Sequence, residues 1–207
     1  MDSVVYTIGH STRPFDEFLS LILGNSVDVI ADVRSQPYSQ LNSQFNKDPM
    51  ADKLLRHGIK YVFLGKELGA RTSDYNCYVN GRVNYDRLSQ TGTFREGLKR
   101  VLEGVSKGYR VALLCSEKEP LVCHRAILVS RHLARLGARI RHIVEADRVE
   151  DHDIAMTRLI GILGLNELTF TRDYREVVDL AYELQGERIA FEKQLEAPPK
   201  QQELPFQ

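Results

Sequence analysis

Short β-rich runs alternate with helical periods through most of this chain, and that alternation restricts the fold more than any other feature. Val4-Val5-Tyr6-Thr7-Ile8 opens as a strand closed by Gly9-His10. Pro14 with Phe15, Phe18, Leu19, Ile22 and Leu23 then gives a first helix. Val27 to Val33 is a second strand broken by the Ser35–Pro37 turn, and 49–57 is a short helix. A third strand over 59–64 and a long helix over 94–105 follow. Arg110-Val-Ala-Leu-Leu-Cys115 is almost wholly apolar, as a strand covered on both faces must be. A helix from Pro120 to about Leu136 and a strand from Arg139 to Glu145 complete the series. Strands separated by helices run parallel, so the predicted class is α/β: a mostly parallel open sheet with helices on both faces. The plan is Rossmann-like but lacks a dinucleotide fingerprint, because no G-x-G-x-x-G follows the first strand.

After Glu145 the helical period continues over 151–163 and from 171 to about 195, with no further strand expected. The predicted organisation is an α/β core over 1–145, a helical addition over 146–195 packed on it, and a flexible tail over 196–207. The tail contains QQELPF, a loose docking pattern. The start of the sequence lacks the basic and apolar blocks of a secretory signal, and no apolar stretch approaches the roughly 18 residues of a membrane span. A cytoplasmic protein with no membrane partner is the expectation. Twenty-eight Lys+Arg balance 28 Asp+Glu, which argues against a polybasic nucleic-acid coat but permits a local basic groove. Three cysteines are too few and too uneven for a disulfide scaffold.

In an open parallel sheet, ligands bind beyond the carboxyl ends of the strands. That rule selects His10 and Ser11 after the first strand, Asp32 and Arg34 at the second, and Lys66 after the third. At the fourth it selects Cys115 and Glu117, with Cys123, His124 and Arg125 opening the next crossover. Arg34, Lys66 and Arg125, with Ser11, suit a small anion such as phosphate or carboxylate. His10, Asp32, Cys115 and Glu117 are the candidates for proton handling or nucleophilic attack. A structural reading stands beside this: Arg125 pairing with Glu117 or Asp32, and Asp32 as a buried charge held by an arginine.

The segment from Cys115 to His124 admits three readings. Cys115 serves as a nucleophile activated by His10 or His124; or Cys115, Cys123 and His124 with Glu117 bind zinc; or both cysteines are small buried hydrophobes. Eight positions separate the cysteines, unlike a tight zinc knuckle, so no cofactor is assigned and zinc stays open. At 100° per residue, Val122, Ala126, Val129, Leu133 and Leu136 form one apolar arc. Cys123 extends the arc, His124, Arg131 and Arg135 lie on a polar face, and Arg125 sits at the edge between. Residues 71–92, with Tyr75, Tyr78 and Tyr85, resemble a cover loop in which Cys77 is incidental. Arginines 125, 131, 135, 139, 141 and 148 form the most basic region and motivate an alternative function, a nucleic-acid-binding or protein-docking module without catalysis.

An ordered set of motifs also resembles a known family. These are Tyr6-Thr-Ile-Gly-His-Ser11, Asp32-Val-Arg34 with Pro37 and Ser39, Tyr61, Leu64-Gly65, Leu114-Cys115-Ser-Glu117, Pro120 and Cys123-His124-Arg125. Over about residues 4–145 the chain is similar to the prokaryotic family labelled domain of unknown function 488. The resemblance implies a compact α/β domain of uncharacterised role and supplies no substrate or catalytic residues. Small anionic molecules or nucleic acid are the partners expected from the residues themselves.

Overall fold

A computed structural model describes residues 3–193. In chain order its elements are β1 (Val4–Gly9), α1 (Phe15–Gly24), β2 (Val29–Asp32), α2 (Lys47–Arg56), β3 (Lys60–Phe63) and the single turn α3 (Gly65–Leu68). A two-stranded hairpin, β4 (Tyr78–Val79) and β5 (Arg82–Val83), precedes α4 (Tyr85–Ser89) and α5 (Gly92–Ser106). Then come β6 (Val111–Cys115), α6 (Arg131–Arg135), β7 (Arg139–Glu145), β8 (Arg148–Asp151), α7 (His152–Ile162) and α8 (Tyr174–Ile189).

Six strands form one sheet in the order β3-β2-β6-β1-β7-β8, all parallel except the edge strand β8. Successive side chains along a strand face opposite ways, so each strand serves two cores. Ile8, Ile30 and Leu114 pack with Phe18 and Ile22 of α1 and Met50 and Leu54 of α2. Val5, Ala31 and Leu113 face the other way, against Phe94, Leu98 and Val101 of α5 and Leu128 and Leu133. From β1 the chain crosses to β2 on one side, and from β6 it crosses to β7 on the other. The path therefore reverses between the neighbours β1 and β6, the place where such sheets open a crevice.

The structure corrects four sequence-based expectations. A further strand exists, since β8 pairs antiparallel with β7 and closes the edge beyond Glu145. The predicted helix over 120–136 is three pieces: a 3-10 turn at Pro120–Val122, a π-helical stretch at Arg125–Ser130, and α6. A wheel drawn at 100° per residue misplaces faces across a wider π turn. Arg125 and Arg131 are consequently buried, while Val122 and Leu136 of the supposed apolar arc are about half exposed. The last helix runs from Tyr174 and stops at Ile189, after which the backbone turns alongside β5, Val83 N–H donating to the Phe191 carbonyl at 2.9 Å. Finally, residues 71–92 are no mere cover, because Cys77, Val83 and Leu88 are buried in the α5-side core. The tail and its QQELPF pattern lie outside the described residues.

The C-terminal helices pack as a third layer of apolar contacts, with Met156 and Leu159 of α7 and Val177 and Ala181 of α8 meeting Leu121 and Ile127. A polar chain runs through this junction. Thr7 Oγ1 lies 2.7 Å from His142 Nδ1, His142 Nε2 2.9 Å from His152 Nδ1, and His152 Nε2 2.6 Å from the Tyr182 hydroxyl. No helix among the described residues is long and apolar enough to cross a membrane.

Candidate functional site

The residues selected at the strand ends separate into two clusters on opposite faces of the sheet. His10, Asp32 and Arg34 continue the α1/α2 face. Asp32 is completely buried, and Arg34 grips it with Nε at 2.9 Å and Nη2 at 2.6 Å. The backbone N–H of Arg34 and the Tyr61 hydroxyl donate to the same carboxylate at 3.0 and 2.5 Å. Burial, reinforced by the Asp32 charge, pushes the Tyr61 hydroxyl far above its ordinary pKa. His10 stacks on Phe45 with ring centroids 4.4 Å apart. Its Nδ1–H donates to the Ser11 carbonyl at 2.8 Å, which leaves Nε2 to accept from Arg34 Nη1 at 3.1 Å. Burial, aided by the Arg34 charge, lowers its pKa from 6.5 to about 4, so the ring is neutral at pH 7. A buried charge pair whose lone pairs and protons are this fully used is a lock.

Cys115 points the other way, and here the chemistry gathers. Its thiol donates to Glu117 Oε2 at 3.1 Å and lies 3.7 Å from His124 Nδ1. The ligand atoms of Cys115, Cys123 and His124 all fall within 4.8 Å of one another. His124 Nε2–H donates to the Val33 carbonyl at 3.0 Å, which turns Nδ1 toward the sulfurs, and the neighbouring Cys123 raises the imidazole's pKa against the effect of burial. Adjacent residues Cys123 and His124 share this centre because the backbone changes from extended to helical between them. All three cysteines of the chain are free thiols. Hydrogen bonding to Cys123 and burial push the Cys115 thiol up. Burial alone would raise Cys123 as well, but the Cys115 bond, the Arg125 charge and His124 outweigh it and hold Cys123 well below the usual thiol range.

This trio floors an open cavity of about 400 Å³ at the carboxyl edge of the sheet, walled by Arg34, Arg71, Tyr38, Tyr85 and Phe191. Arg71 is exposed, bonds Gln36 Oε1 at 3.2 Å, and lies 4.6 Å over the Phe191 ring. Gly9 sets the rear of the site. A Cβ there would stand 1.8 Å from the Glu117 carbonyl oxygen, so only glycine lets the turn after β6 close down on β1.

Several expectations change accordingly. Cys115 and His10 do not share a site, since β1 and β6 pair in register, Gly9 opposite Cys115, and His10 is the next residue, facing the other way. Its partner imidazole is His124. Cys123 is buried, yet its sulfur lies with Cys115 and His124. Arg125 is turned inward, its guanidinium donating to the Glu117 and Lys118 carbonyls at 2.6 and 3.0 Å. Lys66 is exposed on α3 and does not line the cavity. Ser11 sits half-buried in a left-handed turn with φ 51°. Arg71, Tyr85 and Phe191 escaped the strand-end rule because they come from the hairpin region and from the strand-like exit of α8. Of the arginine-rich region, Arg131 and Arg135 pair with Asp179, and Arg139 and Arg141 with Asp151.

Fold and site together define an α/β protein with a thiol–imidazole centre at the reversal point of a parallel sheet. The family model described as "Domain of unknown function DUF488" matches residues 14–132, more than half of the sequence, and the chain belongs to that family. The match includes Cys115, Glu117, Cys123 and His124 and stops short of the Gly9-His10-Ser11 turn. No curated protein and no solved structure matches the chain.

Proposed function

We propose that the cavity over Cys115, Glu117, Cys123 and His124 is an active site for hydrolysis or group transfer on a small anionic molecule of the phosphate or nucleotide type. The observation that carries this reading is the convergence of two thiols, an imidazole and a carboxylate on the floor of a cavity with a guanidinium at its mouth. Arg71 is the anion-binding group, because Arg34 is already committed to Asp32. Its planar donor fork fits phosphate or carboxylate oxygens. Tyr38, Tyr85 and Phe191 offer aromatic surface to the body of the molecule, as a base or ring would require. Glu117 reaches the cavity from the turn after β6, and its carboxylate orients the attacking hydroxyl or water.

A panel of nucleotides, sugar phosphates and phosphate monoesters, followed by phosphorus NMR, tests the reading. Arg71→Ala raises KM with little change in kcat, whereas Glu117→Gln lowers kcat. The reading fails if no member is turned over and none shifts the melting temperature of the wild-type protein.

A further inference from the structure

We infer that Cys115, Cys123 and His124 are a transition-metal site for zinc, with its fourth position open to the cavity and to Glu117. Zinc binds thiolate at about 2.3 Å and imidazole at about 2.0–2.1 Å, so in a tetrahedron the sulfur–nitrogen edge is about 3.6 Å. The Cys115 Sγ to His124 Nδ1 distance is 3.7 Å. All three ligand atoms lie within 4.8 Å of one another, so the trio needs only small side-chain adjustments to close on an ion.

The second observation concerns orientation. A metal-bound histidine usually gives its other ring N–H to a carbonyl or carboxylate, which fixes the tautomer and aims the lone pair. His124 does this with the Val33 carbonyl at 3.0 Å. Val33 itself lies between Asp32 and Arg34, whose buried ion pair holds that stretch of backbone. The imidazole is therefore aimed by a rigid neighbour before any ion arrives. Two thiolates and one imidazole form a donor set of the softness that selects zinc over magnesium or calcium. Three protein ligands with a cavity beside them match a catalytic zinc, in which the fourth position holds water or substrate, rather than a closed structural one. Glu117 Oε2 lies 3.1 Å from Cys115 Sγ, beside the trio and on the same cavity.

The site is testable without any substrate, so its failure is separate from failure of the catalytic reading. Wild-type protein purified under reducing conditions, offered zinc and then dialysed, is expected to hold about one zinc per chain by elemental analysis. Cys115→Ser and Cys123→Ser each abolish retention, His124→Gln weakens affinity by at least ~10-fold, and Cys77→Ser leaves it unchanged. Because a variant with an altered core risks misfolding, cobalt is titrated into the unaltered chain as well. Thiolate-to-cobalt charge-transfer absorption in the near ultraviolet, with intense tetrahedral d–d bands, supports the site. The inference is overturned if the wild type retains no zinc and cobalt gives no thiolate band. It is equally overturned if the doubly substituted Cys115→Ser, Cys123→Ser chain keeps its zinc.

Discussion

Acid acts on this fold through the polar chain that joins the sheet to its C-terminal helices. Arg125 Nε donates to Thr7 Oγ1 at 3.4 Å, and Thr7 Oγ1 shares one proton with His142 Nδ1. His142 Nε2 likewise pairs with His152 Nδ1, and His152 Nε2 with the Tyr182 hydroxyl. Each link uses one proton. An additional proton on either ring sets two donors against each other somewhere along the chain, in an interior where Thr7, His142 and His152 are at most 4% exposed. Burial accordingly takes His152 from 6.5 down to about 4. Burial, followed by the neighbouring His152 and Arg125 charges, takes His142 well below its ordinary value.

The sign follows from which state binds the proton first. With the folded pKa depressed, the unfolded chain takes up the proton at higher pH. The stabilisation is thus complete above pH 6.5 and is lost as pH falls toward 4. For His152 alone, the gap between 6.5 and about 4 corresponds to ~3 kcal/mol. Urea unfolding followed by circular dichroism, at several values from about pH 7 to pH 4.5, measures the loss. His152→Phe supplies the comparison. At neutral pH the variant is less stable by ~1–3 kcal/mol, since it strands His142 Nε2 and the Tyr182 hydroxyl. It lacks the titrating ring, however, and it relieves His142 of its neighbour's charge. Its stability therefore falls less steeply, and the two curves converge toward pH 4. His10 and His132, also held near 4, contribute equally to both proteins and cancel in the comparison. Parallel curves over the whole range would refute the reasoning.

Other perturbations act nearer the cavity. Gly9→Ala drives a Cβ into the Glu117 carbonyl, so the variant loses ~1–3 kcal/mol in chemical denaturation and binds anions more weakly in calorimetric titration. Asp32→Asn removes the counter-charge of a buried arginine and costs ~3–5 kcal/mol by the same denaturation assay; a loss under 1 kcal/mol would show that the pair is not the lock described. Arg125→Met leaves the Glu117 and Lys118 carbonyls without their donor. It lowers stability by ~2–4 kcal/mol and increases protease nicking between residues 116 and 122, read by mass spectrometry.

The alternation of strands and helices was legible because each strand carries its own apolar run and each helix its own period. β7 matched its predicted limits from Arg139 to Glu145, and most other elements shifted by only one to three residues. What failed has local physical causes. β8 is a four-residue edge strand, Arg-Val-Glu-Asp, with no apolar run to announce it. The π-helical stretch was invisible because the same residues, wound at 100° per step, give a plausible amphipathic helix. Arg125, at the edge of that wheel, opens the π-helical stretch and turns inward to the Glu117 and Lys118 carbonyls. The strand-end rule found Cys115, Glu117 and Asp32 correctly as edge residues but cannot say on which face each one lies. Face follows from parity within a strand, and Gly9 pairing with Cys115 puts His10 and Cys115 out of phase.

The two clusters, though separated by the sheet, are mechanically one device. Val33 is flanked by the Asp32–Arg34 pair, and its carbonyl aims His124. On the next seam, His10 N–H bonds the Cys115 carbonyl at 3.0 Å and Ser11 N–H the Ser116 carbonyl at 2.8 Å, continuing the β1–β6 ladder past its formal end. Arg125 fixes the following two carbonyls from the opposite side. The turn bearing Cys115 and Glu117 is therefore held by β1 on one flank and by a buried guanidinium on the other. A site whose groups must stay within a few tenths of an ångström needs such backing, because side-chain rotamers alone do not set it. This accounts for why residues that never enter the cavity, Gly9, His10, Asp32 and Arg125, stand in the same sequence motifs as those that do. The motifs mark one rigid seam of backbone, and the Cys115–Cys123–His124 cluster occupies a single face of it.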